Sequence, residues 1–113
     1  MVLDARRGEV YGAVYDAAGR AVVPETVGPF PAWLATLPEG EIQFLSTDLA
    51  PFLPALAGTR FAASTFTTVP RALAAAIGRI ALARLREGRA ADAAALDANY
   101  VRRSDAELFW KED

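Results

Sequence analysis

The sequence predicts a layered α/β (α+β) domain that opens with an antiparallel hairpin or meander and continues with alternating helices and strands. Three observations carry this. Glu9 to Tyr15 alternates with period two, Pro29 to Leu37 and Thr68 to Arg86 carry apolar residues at helical spacing, and turn residues punctuate the intervals between them. At 113 residues, 53% of them apolar, the chain falls in the size range of one domain with a core of its own.

Val10, Gly12 and Val14 face one way along the first strand, and Tyr11, Ala13 and Tyr15 the other. Asp16-Ala17-Ala18-Gly19 is a turn, because Asp bonds its own backbone and Gly takes positive φ. Arg20 to Val27 returns as a strand that Pro24 confines to an edge. Pro29 to Leu37 is a short helix with Phe30, Trp33, Leu34 and Leu37 on one face, stopped by Pro38-Glu39-Gly40. Glu41 to Ser46 is the next strand. Ser46, Thr47 or Asp48 caps a following helix that Gly58 closes, and Pro54 bends it. Thr59 to Ala63 reads as another short strand. The longest helix runs from Thr68 to Arg86, capped by Thr67 or Thr68, with Pro70 in its first turn and Gly88 at its end. Its stripe of Leu73, Ile77, Ile80 and Ala81 marks it as a core helix. Ala90 to Leu96 is a second, shorter helix, and Tyr100 to Asp113 a polar tail carrying Leu108, Phe109 and Trp110.

Composition excludes several chemistries. With no cysteine and no histidine there is no disulfide, no thiolate nucleophile, no histidine general base and no ordinary zinc ligand set. Net charge is −2, divided as −4 over residues 1–59 and +2 over residues 60–113, far from the basic surface of a self-sufficient nucleic-acid binder. Direct nucleic-acid binding is therefore not expected. The N-terminal stretch carries charges and lacks the apolar run of a signal peptide, and Arg79, Arg84 and Arg86 interrupt the longest apolar stretch, so no membrane span is expected.

Two segments are distinctive. Asp4-Ala5-Arg6-Arg7-Gly8-Glu9-Val10-Tyr11 resembles the Asp-Ala-Arg-x-x-Glu-Val-Tyr signature that opens the second half of the TsaB (YeaZ-like, glycoprotease-like) family. Asn99-Tyr100-Val101-Arg102-Arg103-Ser104-Asp105-Ala106-Glu107 is similar to the Tyr-Leu-Arg segment and following Asp-Ala-Glu near that family's C-terminus. Asp97-Ala98-Asn99 stands where the family usually has a proline. The resemblance implies one ribonuclease H-like half of an actin/Hsp70/sugar-kinase-type fold, residues 1–113 forming a single domain whose N-terminal half, with its Asp-Thr-Ser strand start, is absent. It also implies a cytoplasmic, non-catalytic partner of a TsaD-like paralogue, which transfers threonylcarbamoyl to adenosine of tRNA. No cofactor or metal of its own is expected. Much of the family's partner surface lies on the first half, so partner binding is expected to need that half. The alternatives are a glycoprotease-like peptidase or nucleotide-binding protein of the same superfamily, or a stand-alone domain that forms a homodimer on an uncovered face.

The candidate contact residues are Asp4, Arg6, Arg7, Glu9, Tyr11, Tyr100, Arg102 and Arg103, read as partner-facing or inter-domain charges and aromatics. The competing reading is local charge pairing that fixes a strand start. Tyr11 and Tyr15, with Trp33 nearby, are read as packing rather than a ligand platform, and Ser64 to Thr68 as helix capping rather than a phosphate site, since it lacks the needed glycines. Neither Asp92 with Asp97 nor Glu39 with Glu41 is assigned catalysis.

Overall fold

The computed structural model describes residues 1–103, and its mixed α/β architecture is the predicted one. Strands β1 (Val2–Arg6), β2 (Glu9–Tyr15) and β3 (Ala21–Pro29) form an antiparallel meander in the order β1-β2-β3. Helix α1 (Phe30–Ala35) follows. Strand β4 (Gln43–Ser46) pairs in parallel with β5 (Thr65–Thr68), and the short helix α2 (Leu53–Leu56) lies between them in sequence. β4 also runs beside β1. Helix α3 (Ala74–Arg86) and a 3₁₀ turn at Ala93–Ala95 complete the described elements. The described chain divides into two compact units, one of Met1–Val69 joined by residues 100–103, the other of Pro70–Asn99.

In the first unit, Val2 and Val10 from the meander pack with Phe30, Trp33, Leu34 and Leu37 around α1, and with Phe44, Phe52, Leu56 and Phe61. Trp33 lies against Gly12: a Cβ there would meet the indole at 2.3 Å, so only glycine lets the helix approach the strand this closely. Phe44 contacts Trp33, Phe61 and Phe66, all with ring centroids 5.5–6.5 Å apart. Arg60 lies over Phe61 and donates Nη2 to the carbonyls of Leu37 and Pro38, groups left open where α1 ends.

The Asp16 turn forms as expected, with Asp16 Oδ1 accepting from Ala18 N and Arg20 N at 2.9 Å and Gly19 at φ 77°. β3 is an edge strand, and its register against β2 slips within the stretch that holds Pro24, where a ladder donor is missing.

Five expectations are corrected. Val2–Arg6 is a strand of its own and not a lead-in to β2. The predicted strand at Thr59 to Ala63 is a series of turns, with Ala62 N donating to Thr59 O and Ser64 N to Phe61 O. The strand is Thr65–Thr68 instead, whose β-branched and aromatic side chains suit a ladder and whose Thr67 Oγ1 accepts from Gln43 Nε2. With Thr67 and Thr68 held in β5, and Val69 N donating to Ser46 O, neither threonine caps a helix, so α3 starts at Ala74 and not at Thr68. The helix predicted before Gly58 shrinks to four residues, because Pro51 and Pro54 supply no N–H to a continuous ladder. The predicted second helix after Gly88 is only the Ala93–Ala95 turn, capped by Asp92.

α3 also departs from its expected role. None of its residues is buried, and Ile77 and Ile80 of its apolar stripe are 62% and 56% exposed, so it is not a core helix. Its C-terminal signal does hold. Gly88 has φ 71°, its N–H bonds Leu85 O, and Arg89 N bonds Arg84 O, the paired bonds of a Schellman motif. Among the described residues, no helix is long and apolar enough to cross a membrane.

Candidate functional site

The eight contact candidates fall into one constructed cluster and a set of outlying side chains. The cluster begins with an irregular turn. Arg6 pairs with Glu9 across a two-residue connection, Arg7-Gly8, and Arg6, Arg7 and Gly8 have φ of 69°, 55° and 74°. Positive φ at both connecting residues matches the twist of a tight hairpin, although arginine is an unusual occupant. The register slips between Asp4 and Arg6, which leaves Ala5 without a partner residue on β2. Asp4 Oδ1 steadies this bulge by accepting from Arg6 N at 2.9 Å.

Arg102 closes the cluster from 97 residues away. Its Nη1 donates to Ala5 O at 2.7 Å, its Nη2 pairs with Glu9 Oε2, and its guanidinium lies over the Tyr11 ring, 5.5 Å from the centroid. The planar fork thus satisfies a carbonyl and a carboxylate on the two legs of one turn while stacking on an aromatic face. Side-chain exposures of 24% for Arg102 and 35% for Glu9 put the pair between a screened surface bridge and a buried one. Tyr11 faces this cluster, whereas Trp33 lies on the Gly12 side of the strand. Trp33 is therefore not a neighbour of Tyr11 on a shared aromatic face.

The remaining candidates stay outside. Arg6 lies 4.0 Å from Asp4 with its side chain 88% exposed, a contact of little energetic weight. Tyr100, Arg7 and Arg103 are exposed. The family-like Ser104-Asp105-Ala106-Glu107 and the apolar Leu108, Phe109 and Trp110 lie outside the described residues. Sequence reading named Arg102 and Glu9 but not their connection. It placed Ala5 only within the Asp4 to Tyr11 segment and gave it no role, since its contribution is a backbone carbonyl and leaves no side-chain signal.

A second feature of the same unit is a cleft of about 370 Å³ walled by Tyr15, Trp33 and Ile42, with Asp16 and Glu41 among its lining residues. Trp33 Nε1 is buried with no hydrogen-bond partner among the described residues. Tyr15 Oη donates to Glu25 Oε1 at 2.9 Å, and this bond holds the phenol above its ordinary pKa. Glu25 is held below the usual carboxylate value by its own backbone N–H and then by Tyr15. Asp16 is likewise lowered, chiefly by the Arg20 backbone N–H. The carboxylate pairs weighed for acid–base work are occupied separately. Glu39 reaches Arg60 at 3.9 Å while Glu41 lines the cleft, and Asp92 caps a turn while Asp97 accepts from Ala98 N.

No protein-family model matches the chain, and no curated protein matches it. The functional argument therefore stands on the residues and their geometry. That geometry is a hairpin turn held in an unusual conformation and tied to the distant chain by one arginine. It supplies positioning and contact, and among the described residues it gathers no nucleophile with a base beside it.

Proposed function

We propose that this chain is the second half of a TsaB-type protein, a non-catalytic scaffold that supports a TsaD-like partner in transferring threonylcarbamoyl to adenosine of tRNA. The observation that carries the reading is the meeting of the two segments that resemble the family. Asp4 to Tyr11 and Asn99 to Arg103 stand at opposite ends of the described sequence, and Glu9 and Ala5 of the first are bonded by Arg102 of the second. Residues that must meet to fasten a fold keep a shared spacing for a physical reason, which gives the pair of signatures more weight than either has as a string. The meander followed by helix, strand, helix and strand fits the ribonuclease H-like half that the resemblance implies. In this reading the protein works in the cytoplasm, and Glu9, Tyr11 and Arg102 serve the fold while Arg6, Tyr100 and Arg103 belong to the surface from which a partner contact is built.

The test is size-exclusion chromatography of the whole open reading frame that encodes this chain, mixed with the TsaD-like protein of the same genome. Co-elution as a complex is the expected result. Separate elution at concentrations well above those of stable complexes, about 10 μM, contradicts the proposal.

A further inference from the structure

The bulge at Ala5, the left-handed arginines and the reach of Arg102 share one location. Arg6 and Arg7 occupy a region of φ that L-residues adopt only when their surroundings hold them there. Locally, the Asp4 carboxylate holds the Arg6 amide on one leg of the turn. Beside the Arg6–Glu9 ladder pair, a side-chain contact spanning both legs comes from elsewhere in the chain, since Ala5 O precedes the turn, Glu9 Oε2 follows it, and one guanidinium bonds both.

We propose that Tyr100–Arg103 is a releasable strap, in which Arg102 staples the two legs of the β1–β2 turn and thereby holds Arg6 and Arg7 in their left-handed conformation. Arg102 acts as a positioning residue, since its bonds go to the frame of the turn. When the strap lifts, Ala5 O and Glu9 lose their shared donor and the turn relaxes toward ordinary φ. The device couples the chain near residue 102 to the turn that carries Arg6. A partner that holds either one shifts the other. Because the staple is ionic and only partly buried, salt loosens it.

Amide hydrogen exchange on the full chain tests this. The probes are the amides of Arg6, which donates to Asp4, and of Glu9, which stands opposite Arg6 in the ladder, with Phe44 in the core as reference. Raising NaCl from about 0.05 to about 1 M is expected to speed exchange at Arg6 and Glu9 roughly fivefold while Phe44 changes little. Arg102→Gln at low salt is expected to show the same fast exchange, with salt having no further effect. Unchanged turn amides in Arg102→Gln overturn the proposal, and so does an equal acceleration of Phe44. If Arg102→Gln does not fold, the salt series on the unaltered protein decides alone, and the absence of a salt effect at Arg6 and Glu9 overturns the strap.

Discussion

The two compact units are built on opposite principles. In Met1–Val69 the residues are ordered by what lies far away in sequence: Val10, Trp33, Phe44 and Phe61 fill one core, and Gly12 is flat so that the Trp33 indole can sit on it. In Pro70–Asn99 the order is local. α3 is alanine-rich, ends in a Schellman motif, and buries none of its residues. Intrinsic propensity favours such a helix, but thirteen residues are few for a helix to be stable on propensity alone. Substitutions should therefore act on global stability in the first unit and only on local helicity in the second.

The sharpest contrast is between Trp33→Ala and Ile80→Ala. The first removes a buried indole at the centre of the core and is expected to cost about 3–5 kcal/mol in urea unfolding. The second changes an exposed position and is expected to stay within about 0.5 kcal/mol. Equal effects would break the distinction. Next in size is Gly12→Ala. A methyl 2.3 Å from the indole forces α1 off the sheet, and a loss of about 1–3 kcal/mol is expected by the same measurement. Glycine-to-alanine changes in strands that lack such a collision are mildly stabilising, so the sign alone is informative.

How much was readable from sequence follows the same division. The Asp16 turn, the apolar face of α1 and the Gly88 stop were legible, because each depends on neighbours within a few residues. β5 was not. Thr65 to Thr68 has hydroxyls that suit a helix cap and branched Cβ atoms that suit a strand, and the parallel pairing with Gln43–Ser46, twenty-two residues away, decides between them. α3 misled for the converse reason, since a regular apolar stripe shows that a helix can be buried and not that it is. At the candidate site, charge and type picked out Glu9 and Arg102. The hold of Arg102 on both Glu9 and Ala5 O depended on a bulge that no periodicity announces.

The smallest expected effect is on pH. Asp16 is held below its ordinary value of 3.8 by backbone N–H groups, so its contribution to the turn is present above that value and is lost as pH falls through the lower folded value. The amide shifts of Ala18 and Arg20, followed by NMR, are expected to titrate with a midpoint below 3.8. A midpoint at or above 3.8 would show that the carboxylate is not holding the turn.

The account depends most on the bond that joins the two ends of the described chain. A double-mutant cycle of Glu9→Gln and Arg102→Met, read by urea unfolding, measures it directly. The expected coupling is about 1 kcal/mol, a value suited to a half-buried charged pair with a second hydrogen bond to Ala5. Additive losses with no coupling would contradict the claim that the two family-like segments fasten each other.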